Sequence, residues 1–274
     1  MCVPGCQETV AKRLSRRGLL RGLAGATAGA AAFTAFPPPR AARAAPTAFS
    51  RAVDLTHELL PDFPTYFGPP GLELERMTSF ETDGFNMNKW HVVEHTGTHL
   101  DAPIHFSADG ASAEALDMDQ LVVPLAVIDV TAQAAEDADY QVTVADLEAH
   151  EAAHGALPEG GCVAMNSGWA AHVASEKFRN ADADGVMHFP GFSKEAAMAL
   201  MERGVVGMAV DTLSLDHGAS QTFDTHYAWL PTGRWGLENV ANLDAVPPTG
   251  ATLVVGAPKI TGATGGPSRL IALV

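Results

Sequence analysis

The sequence predicts an α/β fold, or a mixed β-sheet with helices packed on it, for the part of the chain that follows residue 45. Two observations predict this class. Apolar runs of strand length alternate with capped helical segments, and the lengths between them suit crossover connections. An apolar fraction of 47% is sufficient for a buried core. Residues 46–274 contain no internal repeat and no long linker, so we predict that they form one domain.

The predicted strands are short apolar runs. Leu121–Thr131 is the longest, and Pro124 within it suggests an edge strand or a bulge because proline cannot donate a sheet hydrogen bond. Cys162 lies in another such run, where we expect a buried, unreactive thiol. The remaining predicted strands are Cys162–Asn166, Val205–Val210, Ala251–Gly256 and Arg269–Val274.

Two helices are predicted from their capping patterns. Thr143 is followed three residues later by Asp146, and helix-forming residues continue to Ala153. Ser193 is placed to cap a second helix over Lys194–Arg203, which Gly204 ends.

The charge is unevenly distributed along the chain. Lys and Arg number 17 against 32 Asp and Glu, a formal charge of −15, which argues against a nucleic-acid or anionic-membrane partner. The first 45 residues nevertheless carry seven of the basic residues and one acid. Arg16-Arg17 precede an uncharged run over 22–36 and small residues over 42–44, a pattern typical of a twin-arginine export signal.

This N-terminal segment has one structural alternative, a membrane anchor. The uncharged run is shorter than the ~20 residues that a membrane-spanning helix needs, and it is rich in Ala and Gly, which favour insertion weakly. We therefore predict that residues 1–45 are removed, with no stable membrane insertion afterwards, and that the product is periplasmic, cell-wall-associated or extracellular. Only Cys162 would then remain, which excludes an internal disulfide and a cysteine-based zinc cluster.

Four of the 11 histidines lie within residues 91–105, as His91, His95, His99 and His105. In an extended chain, positions 95, 99, 101 and 105 point to the same side, so one strand could bring three of the histidines and Asp101 together. The alternative is a helix with His95 and His99 one turn apart, as in zincins. The Thr-Gly-Thr sequence between them is a poor helix former and contains no Glu.

This combination of side chains suits metal-dependent hydrolysis. His95, His99 and Asp101 could bind Zn²⁺ or Mn²⁺ and leave a position for water, which would ionise to a metal-bound hydroxide. His105 could then transfer protons as a general base and acid. The simpler hypothesis is that these histidines have no joint role. We disfavour it because positions 95, 99, 101 and 105 would all point to the same side of an extended chain. Only His91 is expected to be structural.

Other catalytic motifs are absent from the sequence. It has no G-x-S-x-G motif for a serine nucleophile. The glycine-rich segment over 262–266 lacks the Lys-Ser/Thr of a phosphate-binding loop.

The segment from His95 to Phe106, HTGTHLDAPIHF, resembles the HxGTHxDxPxHF signature of the cyclase family, which includes bacterial kynurenine formamidases and isatin hydrolases. The resemblance extends over most of the chain after residue 45. Weaker blocks follow in the family's order, at 54–56, 166–169, 189–193, 210–216, and in a last block that holds His226 and 237–243.

The resemblance implies a swivelling β/β/α fold with a mixed sheet and flanking helices, assembled as a homodimer or homotetramer. It implies that His95, His99 and Asp101 hold a first metal, and that His226 and Glu238 hold a second zinc bridged by Asp101. His105 corresponds to the proton donor and acceptor. Tyr66 lies where the formamidases carry a substrate-facing tryptophan.

The residues by themselves leave alternatives at several of these positions. Glu238 could instead form an ion pair with Arg234, and Asp211 and Asp216 are expected to be turn caps. Isatin hydrolases use one manganese, in which case Gln221 could be a ligand, although a turn residue is the simpler interpretation.

The expected function is hydrolysis of a small amide, with a metal-bound hydroxide attacking its carbonyl and Zn²⁺ (one or two per chain) or Mn²⁺ as the cofactor. Arylformamidase activity is expected first, converting N-formyl-L-kynurenine to L-kynurenine and formate in tryptophan catabolism, although export argues against that pathway. The alternative is an isatin hydrolase-like enzyme that opens a cyclic amide or lactone with one manganese. A hypothesis of another class is a secreted metal-binding protein without turnover, against which His105 argues.

Overall fold

A computed structural model describes residues 49–274 of the chain. The predicted export signal, residues 1–45, lies outside the described residues. Within residues 49–274, no helix combines the length and the apolar character needed to cross a membrane.

The described residues contain thirteen short strands and five α-helices, connected in part by single 3₁₀ turns. In chain order the strands are β1 (Ala52–Asp54), β2 (Leu72–Thr78), β3 (Met87–Val92), β4 (His99–Asp101), β5 (Val122–Asp129), β6 (Gln141–Val142), β7 (Cys162–Asn166), β8 (Gly191–Phe192), β9 (Gly207–Val210), β10 (Trp235–Glu238), β11 (Ala251–Gly256), β12 (Gly265–Pro267) and β13 (Arg269–Leu273). The helices are α1 (Phe80–Asp83), α2 (Thr131–Glu136), α3 (Val144–His154), α4 (Lys194–Glu202) and α5 (Asp224–Trp229).

Nine strands form one mixed sheet in the order β1-β13-β11-β5-β7-β9-β10-β4-β12. Its centre, β5-β7-β9-β10, is parallel, and the strands on either side pair antiparallel. Parallel strands are covered on both faces, which explains why β7 is apolar and fully buried along most of its length. The predicted α/β class with a mixed sheet is confirmed.

The two faces of the sheet belong to different core clusters. Leu125, Ala164 and Leu237 contribute to a cluster inside the curled sheet. Alternate residues, such as Ile128 and Met165, pack in a second cluster with the helices. Since successive strand residues point to opposite faces, β5, β7 and β9 each contribute to both clusters.

The predicted helix starts are confirmed. Thr143 forms a complete capping box with Asp146 at the start of α3, and the Ser193 hydroxyl accepts a hydrogen bond from the Ala196 N–H at the start of α4. Cys162 is fully buried, and burial raises the pKa of its thiol, as expected for an unreactive cysteine.

The position predicted for Pro124 is wrong, because β5 lies inside the sheet between β11 and β7. Pro124 faces Thr252 of β11, while the pairing with β7 begins one residue later, at Leu125. The missing N–H of Pro124 therefore lies near the N-terminal end of β5, where the strand is paired with β11 but not yet with β7.

Candidate metal centre

The centre is built on the pairing of β4 with β10. His99 and Asp101 occupy the two ends of β4, and Glu238, the last residue of β10, lies directly opposite His99. Cross-strand partners project to the same face of a sheet, so this register brings the Glu238 carboxylate to the His99 ring. All three side chains are buried.

The prediction that one strand presents all four motif residues is only partly correct. The strand covers His99–Asp101 alone, whereas His95 lies before a turn and His105 lies in the 3₁₀ turn Pro103–Phe106. Gly97 makes the first bend at φ +67°, and a Cβ there would also lie 2.8 Å from the Leu59 side chain. The four side chains therefore converge because the chain bends at Gly97 and again at Pro103–Phe106, and not because they alternate along one strand.

Hydrogen bonds on the far side of two imidazoles determine which nitrogen faces the centre. His99 Nδ1 lies 2.9 Å from the carbonyl oxygen of Gly97, and His226 Nδ1 lies 2.6 Å from Asp216 Oδ2. Each of these oxygens only accepts, so each Nδ1 carries a proton and donates it. In a neutral ring, the Nε2 atoms of His99 and His226 then present lone pairs to the centre.

These lone pairs meet carboxylate oxygens rather than donors. His99 Nε2 is 3.3 Å from both Asp101 Oδ1 and Glu238 Oε2, and His226 Nε2 is 3.2 Å from Glu238 Oε1 and 3.5 Å from Asp101 Oδ2. Within the described part of the chain, His99 Nε2 and Asp101 Oδ2 are buried without a hydrogen-bond partner. A cluster of acceptors of this kind requires positive charge, supplied either by a proton on each ring or by a metal ion, and imidazole with carboxylate is a donor set that suits Zn²⁺ or Mn²⁺.

The electrostatics of the cluster also favour positive charge. Burial alone would lower the pKa of His99, but hydrogen bonds to Asp101 and Glu238 outweigh it and raise this pKa to about 10. Burial would raise the pKa of Asp101, yet its contacts with His226, His95 and His99 hold it well below the ordinary value. The residues therefore fit a divalent cation.

Asp101 is the centre of the cluster, and its Oδ1 also lies 2.7 Å from His95 Nδ1. The structure thus brings together all five residues predicted as ligands: His95, His99, Asp101, His226 and Glu238. Asp101 lies between the rings of His99 and His226, and Glu238 is as close to His99, at 3.3 Å, as it is to His226, at 3.2 Å.

The two residues predicted to act on the substrate also lie at this centre. The His105 ring stacks on His95, with centroids 3.8 Å apart, and burial lowers the pKa of His105 to about 4. Tyr66 lies on the wall of a cavity of about 200 Å³ that His95, His105, His226 and Glu238 also line. Half of the remaining wall is aromatic or aliphatic, and the other half is glycine or uncharged polar residues: Phe67, Phe106, Leu213 and Phe223, then Gly97, Thr65, Ser214 and Asn239.

A larger open groove of about 1120 Å³ lies between residues 57–69 and 173–181. None of the predicted ligands lines this groove. We place the reaction centre at the smaller cavity, because the unsatisfied acceptors and the histidines are there.

The structure resolves the alternatives that the sequence left open. Arg234 donates to the carbonyl oxygen of Val205 and to Thr232, so the proposed ion pair with Glu238 is wrong. Gln221 is exposed and does not line the cavity, as expected of a turn residue. Asp211 is a turn cap as predicted, but it caps the turn at Ser167–Trp169 after β7 and not the turn that follows its own strand.

Asp211 accepts hydrogen bonds from the Ser167 N–H, the Ser167 hydroxyl and the Trp169 N–H, although its burial raises its pKa to about 6. Asp216 is more than a turn cap. It accepts the N–H groups of Thr225 and His226 and also orients the His226 ring. The ten-residue separation of Asp216 and His226 carries no recognisable pattern, so sequence reasoning missed this role.

Comparison with known proteins gives a consistent result. The Cyclase family model matches residues 53–217. The chain is 34% identical over 229 residues to an isatin hydrolase from Roseibium aggregatum, covering 79% of this chain and 86% of that one. It is 27% identical over 186 residues to a kynurenine formamidase from Salinibacter ruber, covering 68% and 79%. The structure of isatin hydrolase A from Ralstonia solanacearum superposes with a TM-score of 0.77 at 36% identity, covering 82% of this chain and 92% of that one.

Proposed function

The chain belongs to the cyclase family, and from this premise we propose that it is a metal-dependent hydrolase that opens the ring of a small cyclic amide of the isatin type. The arylformamidase activity expected first from the sequence has weaker support, since the kynurenine formamidase is the more distant of the two relatives compared. The isatin-like alternative is therefore the better proposal.

The observation that carries this proposal is the composition of the cavity beside the acceptor cluster. Its aromatic walls suit a flat ring. Among the described residues that line it, none is Lys or Arg. N-formylkynurenine carries an amino-acid carboxylate, to which Thr65, Ser214 and Asn239 on the wall offer uncharged hydrogen-bonding groups but no ion pair when it is removed from water. A fused cyclic amide has no carboxylate, so it needs hydrogen-bond donors or a metal ion only for its carbonyl oxygens.

The ligands would be drawn from His95, His99, Asp101, His226 and Glu238. A divalent cation bound there supplies a Lewis acid for the amide carbonyl and lowers the pKa of water. His105 is on the cavity wall beside His95, where it can accept a proton from the attacking water. The amide C–N bond then breaks, and His105 returns the proton to the leaving nitrogen.

The aromatic residues orient the substrate for this step. Tyr66 and Phe223 lie 5.8 Å apart between ring centroids, and Phe106 lies 4.5 Å from the His226 ring. These rings already contact one another, so a flat substrate would lie against the aromatic wall that they form and present its carbonyl to the ligand side of the cavity.

The direct test uses protein purified without chelators, with metal content measured by mass spectrometry. We expect ring opening of isatin, loss of activity after chelation, and recovery on adding back Mn²⁺ or Zn²⁺. Faster hydrolysis of N-formylkynurenine than of isatin would return the assignment to arylformamidase. Metal binding with turnover of neither compound would contradict the proposed substrate class and favour the non-catalytic hypothesis.

We also propose that a second copy of the chain covers the β2–β3 hairpin. Leu74 and Trp90 face each other on one side of the hairpin and are 52% and 72% exposed. The other side is polar, with Glu75 paired to Lys89 and His91. An isolated two-stranded sheet is marginally stable in water, so an apolar face of this kind needs a covering surface.

The apolar face is continuous with exposed rings at the end of the hairpin. Trp90, Leu74 and Val92 share that face and are 72%, 52% and 42% exposed, and Phe80 and Phe85 in the connecting segment are 64% and 49% exposed. An exposed aromatic and aliphatic patch of this kind is typical of the centre of a two-fold interface. The hairpin follows the loop with Tyr66 and leads into His95, so the dimer contact would also support the cavity wall.

Trp90→Glu is expected to convert the dimer to a monomer, because a charge would replace the most exposed aromatic ring of the apolar face. Analytical ultracentrifugation over a range of concentrations measures this change. Glu73→Ala, on the polar side of the same hairpin, should remain dimeric. A wild-type protein that is monomeric at every concentration would disprove the interface.

A further inference from the structure

The glycine-rich segment over 262–266 contacts the metal centre through Thr264. The Thr264 hydroxyl oxygen lies 2.9 Å from His95 Nε2 and 2.5 Å from Glu94 Oε2. The Thr264 backbone N–H also donates to both oxygens of the Glu94 carboxylate, at 3.3 Å each. The three residues form one chain of hydrogen bonds that ends on a ring predicted to bind metal.

The protons in this chain can be assigned from its chemistry. A carboxylate only accepts, so the single hydroxyl hydrogen of Thr264 points to Glu94. The Thr264 oxygen can then only accept from His95. His95 Nε2 therefore carries the proton, and in the neutral ring Nδ1 is the free nitrogen, 2.7 Å from Asp101 Oδ1.

The backbone around Thr264 holds this arrangement in place. Gly265 of β12 pairs with Asp101 of β4, next to the ligand strand. A Cβ on Gly265 would clash with the Leu100 carbonyl oxygen and would lie 2.8 Å from His95 Cε1 and 3.3 Å from His95 Nδ1, so the glycine lets the strand pack directly on β4 and on the ring. This contact explains the glycine at position 265, for which the sequence offered no function.

We propose that Thr264 and Glu94 are positioning residues that set the tautomer of His95, so that this ligand binds metal through Nδ1 while His99 and His226 bind through Nε2. The inference rests on the proposed metal-dependent function but concerns metal affinity rather than the substrate. If Glu94 or the Thr264 hydroxyl is lost, His95 can place its proton on either nitrogen, and the protonated form of Nδ1 cannot bind a metal.

The test is the affinity of chelator-stripped protein for Mn²⁺ and Zn²⁺, measured by calorimetry or by competition with a chelating dye. Thr264→Val keeps the shape of the side chain and removes the hydroxyl, and we expect affinity to fall by roughly 10–100-fold. Thr264→Ser keeps the hydroxyl and should stay within about threefold of wild type. Glu94→Ala should weaken binding in the same range as Thr264→Val, because it frees the Thr264 hydroxyl to donate to His95.

Glu114→Ala is the matched control. Glu114 accepts the Gly262 N–H and anchors the same segment without contacting Thr264 or His95. Unchanged metal affinity in this variant, with a loss in Thr264→Val, supports the proposal. Wild-type affinity in a folded Thr264→Val protein would overturn it, as would equal losses in the serine and valine variants. A wild-type protein that binds no metal would instead refute the proposed function itself.

Discussion

Asp101→Asn is expected to abolish metal binding and with it all activity. Asp101 is fully buried, and its two oxygens face the rings of His95, His99 and His226. An asparagine would replace one acceptor with an NH₂ donor at the centre of the cluster. Changes to groups that merely orient ligands cost 10–100-fold in metal affinity, so we expect a loss of more than about 100-fold here. Metal per chain by mass spectrometry, together with kcat/KM, measures it.

The fold of the Asp101→Asn protein should survive without metal. In the metal-free wild type the pKa of His99 is about 10 and that of His226 is raised well above its ordinary value, so both Nε2 atoms carry protons and donate to the buried Asp101 carboxylate. Asparagine removes that negative charge, and we therefore expect a lower Tm for the metal-free variant than for the metal-free wild type at neutral pH. Asp54→Asn, an exposed residue paired with Arg269, is the control and should retain metal. Full metal content in Asp101→Asn would contradict the role assigned to this carboxylate.

His105→Ala is expected to retain metal and to lose turnover. Its ring stacks on His95 at the cavity wall, and we assign it proton transfer rather than metal binding. Removing a general acid–base group typically reduces kcat by roughly 10²–10⁴-fold, which corresponds to about 3–5 kcal/mol. Steady-state kinetics with isatin, on protein whose metal content has been checked, measures the effect.

The geometry also allows a rival role for His105, as a metal ligand. A ring nitrogen of His105 lies close enough to donor atoms of His95 and Asp101 for the three to hold one ion together. If His105→Ala lost its metal along with its activity, His105 would be a ligand and the proton-transfer role would be wrong. His91→Ala is the matched control from the same segment. His91 is exposed on the hairpin beside Glu75 and should affect neither quantity.

Local patterns predicted those parts of the fold that local forces decide. The capping box of Thr143 and the serine cap at 193 each join residues three positions apart, so both partners can be read from a short stretch of sequence. The apolar run of β7 indicated burial because a strand that is apolar on both faces is stable only when both faces are covered. The same patterns misjudged Pro124, since the number of neighbours of a strand is a property of the complete sheet.

At the candidate centre, the sequence by itself determined which residue types were available, through the close spacing of His95, His99, Asp101 and His105. The tertiary structure alone decided how they act together. Strand register sets Glu238 opposite His99. Asp216, ten residues before His226, orients that ring, and Thr264, 169 residues after His95, orients the other. Register and long-range hydrogen bonds depend on how whole strands pair. A lone Thr or Asp in a loop carries no sign of its distant partner, which is why these contacts were visible only in the folded chain.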